Sequence, residues 1–194
     1  MVDFDLSVVY NDIEIYKNIK IEKVNRKVEL KGSVFEFYNT DYSGKDYYHS
    51  IKYNNKTLMT NEPFEVLTNQ IFFEKSKGDI LIFGLGLGWI IFPILDRDDI
   101  KSITVVEKNT EIIEFVGDIL SKRDVKNKLN IIEGDVYDYY NVLDKKFDFI
   151  YFDTYDTPDL SISDINKLNP LYDKFLKENG MTYFWCQEIS HLVG

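Results

Sequence analysis

Two hydrophobic rhythms alternate along this 194-residue chain and change over near residue 60. Before that point the apolar positions recur every second residue. Val28-Glu-Leu-Lys31, Ser33-Val-Phe-Glu-Phe-Tyr38 and Tyr48-His-Ser-Ile-Lys-Tyr53 each approach the period of a half-buried strand. Lys31-Gly32, Ser43-Gly44 and Asn54-Asn55 supply turn residues between them, so residues 1–60 are predicted to form two or three antiparallel hairpins. Tyr38, Tyr42, Tyr47, Tyr48 and Tyr53 read as cross-strand packing, and His49 as a strand-face histidine.

From residue 61 the period lengthens. Phe64, Leu67, Ile71 and Phe72 form the 3.6-residue stripe of a helix over Asn61 to Lys77, with Asn61 as N-cap, Pro63 in the first turn and Gly78 as the stop. A continuous apolar run, Ile80 to Phe83, follows and reads as a strand buried on both faces. It enters three glycines at alternate positions, Gly84, Gly86 and Gly88, and then Trp89 to Leu95, which has the spacing of a helix start with Pro93 in its first turns. Beyond it, strands are predicted at Ser102–Val106, Leu129–Ile132, Phe147–Phe152 and Met181–Cys186, and helices at Thr110–Leu120 and Ile162–Glu178. Strands alternating with helices specify an α/β fold: a Rossmann-like, doubly wound, mainly parallel sheet over residues 61–194, behind a small β-hairpin region at 1–60.

In such a sheet ligands bind at the carboxyl ends of the strands, and four features fall there. The first is the glycine turn, where positive φ and the lack of Cβ let a ligand reach the backbone. Its G-x-G-x-G spacing differs from the dinucleotide fingerprint G-x-G-x-x-G, whose last glycine would be at Trp89. The second is Glu107, directly after the next strand and 23 residues past Gly84, at the interval where a carboxylate accepts from ribose hydroxyls. The third is Asp135-Val136-Tyr137 after the following strand, and the fourth is Asp153-Thr-Tyr-Asp156-Thr-Pro158, two carboxylates three residues apart that can take up a proton from an amine or hold its cationic form.

Together these motifs resemble class I S-adenosylmethionine-dependent methyltransferases and the related aminopropyltransferases, in particular the spermidine-synthase-like branch, over residues 56–186. The resemblance implies S-adenosylmethionine as cofactor, with Gly84, Gly86, Gly88 and Asp153 around it, Glu107 on the ribose, Asp135 on the adenine amino group and Val136 against the ring. It also implies Asp153 as the base that deprotonates an attacking amine and Asp156 as its anchor. The motifs depart from those of spermidine synthases in three places. Gly-Leu-Gly-Leu-Gly replaces a Gly-Gly-Gly-Asp-Gly-Gly loop, Pro63-Phe64-Glu65 replaces Tyr-His-Glu, and Pro158 comes one place late. Methyl transfer to a small-molecule or protein acceptor is therefore the expected activity. Aminopropyl transfer from the decarboxylated cofactor is the alternative, and a non-catalytic nucleoside-binding module a third.

Composition narrows the partners. The hydrophobic share of 44% supports a real core. Net charge is −10, and because residues 1–60 carry nine basic and nine acidic residues, the whole excess lies in 61–194. That sign argues against nucleic acid and anionic membranes and for cationic or neutral ligands. One cysteine and two histidines leave no basis for a metal site or an internal disulfide. The longest apolar run is too short to cross a membrane and the N-terminus has no basic leader, so a cytoplasmic location is expected. The predicted strands stop at the fifth, where methyltransferase cores add an antiparallel pair, and a homodimer is expected to complete the substrate side of the cleft.

Overall fold

The computed structural model describes residues 4–25, 46–154 and 161–187. The predicted strands at 28–31 and 33–38, Tyr38, Tyr42 and the site residue Asp156 lie outside those ranges.

The first region is a four-stranded antiparallel sheet in the order β1-β2-β3-β4. Its strands are β1 (Ile13–Tyr16), β2 (Ile19–Asn25), β3 (Tyr47–Tyr53) and β4 (Lys56–Thr60). Asn54 and Asn55 both take positive φ in the β3–β4 turn, a conformation asparagine tolerates better than most residues. Lys17 and Asn18, in the β1–β2 turn, dock on the helix at residues 110–117: Asn18 Nδ2 donates to Glu111 Oε1 at 2.9 Å, and Tyr16 stacks on Phe115 with ring centres 5.3 Å apart. His49 is buried on β3 between Tyr10 and Tyr47.

The second region is a five-stranded, all-parallel sheet in the order β7-β6-β5-β8-β9. Its strands are β5 (Gly78–Phe83), β6 (Ile100–Glu107), β7 (Leu129–Glu133), β8 (Phe147–Phe152) and β9 (Leu176–Phe184). The chain runs outward from β5 to β7 and then returns to start again at β8, so the strand order reverses between β5 and β8, beside the glycine turn. Ile80 to Phe83 and Phe149 to Phe152 are wholly buried, as expected for central strands covered on both faces. Phe83, Phe152 and Phe184 from three adjacent strands stack face to face, with centres 5.0 and 4.3 Å apart.

Several helices differ from their predicted form. The helix expected over 61–77 is two short ones, α1 (Pro63–Thr68) and α2 (Gln70–Lys75), broken at buried Asn69. Glu62 occupies the N-cap position while Asn61 accepts from the His49 amide on β3. No regular helix follows the glycine turn: residues 89–95 are turns with a single 3-10 segment at Phe92–Ile94. Pro93 has no amide hydrogen to continue a ladder, and Trp89, Ile90, Ile91, Ile94 and Leu95 are all buried, so no exposed polar face exists for an amphipathic helix. The 110–120 helix is longer than expected, comprising α3 (Thr110–Ile112), a π-helical turn (Ile113–Gly117) and α4 (Asp118–Arg123). The last helix, α5 (Ser161–Tyr172), ends soon after Pro170, and β9 begins where helix was expected, at Leu176, with Asn179 at positive φ in its irregular opening.

Candidate functional site

A cavity of about 270 Å³ opens at the carboxyl ends of β5, β6, β7 and β8, near the lower bound of ordinary ligand pockets. Its floor is the first half of the glycine turn. Gly84 has φ +99°, and a Cβ there would lie 2.1 Å from the Asp153 carbonyl oxygen. Only glycine lets the ends of β5 and β8 come this close. Gly84 N–H donates to Val106 O of β6, and Asp153 N–H donates to Phe83 O, both at 2.9 Å, so the ends of β6, β5 and β8 are tied across the floor.

Glu107 stands at the end of β6, 8% exposed. Its Oε2 accepts from Leu85 N–H and its Oε1 from Asn109 N–H, each at 2.8 Å. The carboxylate therefore shapes the glycine turn and the start of α3, and each oxygen keeps a lone pair for a ligand hydroxyl. Asp135 lines the wall beyond β7 and caps its own turn by accepting from Tyr137 N–H at 2.9 Å. Val136 is buried beside it, and its carbonyl accepts from Tyr172 OH. Tyr137 projects at the rim, where its hydroxyl donates to Asp164 Oδ1 of α5 at 2.7 Å, and both burial and that carboxylate push the phenol up to about 12. Tyr139 and Tyr140 pack inward against Phe83 and Tyr172.

The predicted residues Gly84, Gly86, Glu107, Asp135, Val136 and Asp153 thus share one cavity. Gly88 does not line it: its Cα faces Leu120, Phe92 and Val116, and the glycine is required by core packing and its φ of +68°. Other contributors lie away from the four strand ends singled out in the sequence. Leu58 and Met59 arrive from β4 of the antiparallel sheet, Glu65 from the first turn of α1, Asp164 from α5, and Trp185 from the end of β9. Glu65 was the one residue retained in the Pro63-Phe64-Glu65 stretch, and Trp185 obeys the strand-end rule one strand further along. Nothing in the sequence points to Met59.

The cavity is anionic. Among the described residues, Glu65, Glu107, Asp135, Asp153 and Asp164 face it, against Lys108 as the only basic residue in the lining. Crowded carboxyls resist ionisation. Burial, reinforced by the charge of Glu107, raises Asp153 to about 7. Burial also holds Glu65 well above the usual carboxylate range, with Asp153 and Glu62 adding to the effect and a hydrogen bond from Trp185 opposing it. A carboxyl that titrates near neutrality takes and releases protons at working pH, and a cation bound beside it would draw it toward the ionised form. Among the described residues no group of three or more His, Cys, Asp or Glu side chains is arranged to hold a metal ion. No described helix is long and apolar enough to cross a membrane.

Spermidine synthase from Thermotoga maritima is 16% identical, with a TM-score of 0.53 over 89% of this chain and 54% of that one. A spermidine synthase solved in complex with the transition state analogue AdoDATO gives the same values. The glycopeptide N-methyltransferase MtfA, complexed with S-adenosylmethionine, is 20% identical with a TM-score of 0.48 over 61% of this chain and 52% of that one. These likenesses are of fold, and the chain spans about half the length of each solved relative. No curated protein matches it in sequence. The model of the spermine/spermidine synthase domain, however, matches residues 65–191, well over half of the chain, and the protein belongs to that family.

Proposed function

We propose that the protein is a transferase that moves an alkyl group from an S-adenosyl sulfonium cofactor to an amine. The observation that supports this most is Asp153, a carboxyl titrating near neutrality in an anionic cavity beside the glycine turn. The cavity suits the cofactor on three counts. Gly84 leaves the floor without side chains, Glu107 has acceptor capacity for ribose hydroxyls, and the excess of carboxylates favours a sulfonium and a cationic amine over anionic ligands. When bound, the cofactor supplies an electrophilic carbon on sulfur.

The remaining work falls to the chain. An aliphatic amine arrives as ammonium and attacks only after losing a proton. Asp153 carboxylate takes that proton and becomes the neutral acid, while Asp164 holds the positive charge of the arriving acceptor. Alignment of the amine over the glycine turn supplies most of the acceleration.

Methyl transfer to a small-molecule or protein-borne amine is the first reading, because the Tyr-His pair and the loop aspartate of polyamine synthases are replaced. Aminopropyl transfer is the second. It is favoured by family membership and by a lining that, among the described residues, offers a cofactor carboxylate one lysine against five acids.

Isothermal titration of S-adenosylmethionine, S-adenosylhomocysteine, the decarboxylated cofactor and NAD tests the proposal, followed by turnover of Asp153→Asn on an amine panel. Binding of the sulfonium ligands but not NAD, with turnover reduced about 100-fold or more and cofactor Kd nearly unchanged in the variant, is expected. Binding without transfer to any amine would mark a non-catalytic nucleoside-binding module, and equal turnover of the variant would remove Asp153 as the base.

A further inference from the structure

A second cavity, a groove of about 480 Å³, shares no lining residue with the first. One bank is the β7–β8 connection, with Tyr140, Leu143, Lys145 and Lys146; the other is the 3-10 turn Asp173–Phe175 between α5 and β9, with Lys174 and Phe175. The parallel sheet fixes the banks. Phe147 of β8 pairs with Leu176 of β9, so Lys146 and Phe175, each one residue earlier, enter adjacent strands side by side. The volume is that of an ordinary small-molecule site.

Charge in the groove runs against that of the molecule. The chain's net charge is −10, whereas three lysines line the groove against Asp144 as its one acid among the described residues. Two of the ammonium groups are held over aromatic rings. Lys174 Nζ lies 4.9 Å from the ring centre of Phe175 and 5.7 Å from that of Tyr140, and Lys145 Nζ lies 5.2 Å from that of Phe147. Lys145 also donates to Ser102 Oγ at 2.8 Å and stands 3.4 Å from Asp79, which offsets its charge. Lys146 and Lys174 have no carboxylate partner among the described residues. A ring orients an ammonium without cancelling its charge, so both remain available to an anion. Charges more than about 8 Å away are largely screened at physiological ionic strength, and an anion in the groove therefore feels these lysines above the acids elsewhere on the chain. Between the lysines, Leu143, Tyr140 and Phe175 are only partly buried and offer apolar surface.

We propose that this groove binds a small organic phosphate, its phosphate groups on Lys146 and Lys174 and its apolar body on Leu143, Tyr140 and Phe175. Lysine suits phosphate as a point charge that demands no fixed bidentate geometry. Rings that already hold Lys174 in place reduce the ordering that binding must impose. The assignment is independent of the reading of the catalytic cavity, since it uses none of its residues and requires no particular reaction.

Uridine triphosphate is the probe, because it carries both parts of the ligand and lacks the adenine expected in the catalytic cavity. Isothermal titration of the full chain at low salt compares it with inorganic tripolyphosphate and with uridine. Uridine triphosphate should bind with a Kd below about 1 mM, tripolyphosphate about threefold or more weaker, and uridine without detectable heat. Lys146→Glu and Lys174→Glu should each weaken uridine triphosphate about fivefold or more. Lys122→Glu, the same change of charge on α4, should stay within about twofold. Lys145 is left unchanged because it serves the amino end of the sheet. Should a glutamate variant melt early, the glutamine variant of the same lysine replaces it, with a loss of about twofold or more. Absence of binding by uridine triphosphate, equal affinity for tripolyphosphate or for uridine, or a loss that Lys122→Glu reproduces would each overturn the assignment.

Discussion

Asp153 carries two consequences that can be measured separately. Its role as base predicts lost turnover on amidation; its burial predicts gained stability. In the unfolded chain an aspartate ionises near pH 4, whereas in the fold Asp153 holds its proton up to about 7. Between those values the folded state binds more protons than the unfolded one, so this residue's contribution to stability is complete below about pH 4 and falls as pH rises through about 7. Asparagine cannot ionise. Asp153→Asn is therefore expected to raise the melting temperature at pH 8 by about 2 °C or more and to leave it within about 1 °C at pH 5. Melting curves with the same offset at both pH values would show that the carboxyl is not desolvated. Asp153 and Glu107 were legible in the sequence because the carboxyl end of a buried strand is a position, and any side chain there faces the site. Met59 was not legible because its orientation is set by a bulge in the β3–β4 pairing, and a bulge is a property of the pairing between two strands.

At the scale of elements, strands were read more accurately than helices. A strand such as Phe147–Phe152 is specified by its own run of apolar residues, and its bounds are those expected. Helices depended on neighbours. Trp89 to Leu95 has helical spacing, but burial of nearly every side chain and the missing amide of Pro93 leave only turns. The break between α1 and α2 is likewise set from outside, at Asn69. Its Nδ2 donates to Glu65 O at 2.8 Å, and its Oδ1 accepts from Tyr151 OH of β8 at 2.5 Å. One buried side chain thus ends the turn that carries Glu65 and fastens it to the central sheet. Asn69→Ala removes both bonds at a site with no solvent to replace them, and urea unfolding should show a loss of about 1–3 kcal/mol. Because the α1 anchor goes with it, the decarboxylated cofactor should also bind more weakly. A variant within about 0.5 kcal/mol of wild type would mean that packing alone sets the break.

At the scale of the whole molecule the two ends of the parallel sheet divide the labour. The carboxyl end keeps acids close together with little basic relief, a destabilising arrangement reserved for the site. The amino end is compensated. Asp79 of β5 accepts from Ser102 of β6 and from Lys177 of β9, Lys177 also donates to Asp148 of β8 at 2.7 Å, and Lys145 stands 3.4 Å from Asp79. Asp148 in turn accepts from Asp79 N–H at 2.7 Å, and Gly78 is glycine because a Cβ would strike that carboxylate. Four of the five strands are joined by these contacts. Burial is the largest single influence on Asp79 and raises it, but the hydrogen bonds from Lys177 and Ser102 with the charge of Lys145 outweigh it, and the carboxyl is lowered to about 2. Asp148 is shifted in the same direction. A lowered folded pKa means stability that is complete above the ordinary carboxylate value near 4 and is lost as pH falls through about 2. Lys177→Met removes the shared cation and leaves two carboxylates facing each other. It should cost about 0.5–1 kcal/mol at pH 7, since solvent screens these partly exposed groups, and move the midpoint of acid unfolding, followed by circular dichroism, upward. Ligand binding at the opposite end of the sheet should stay within about twofold of wild type, since none of these side chains lines the cavity. Acid titration curves that superimpose would mean that the sheet is held at this end by its backbone ladders alone and that the ion pairs add nothing to them.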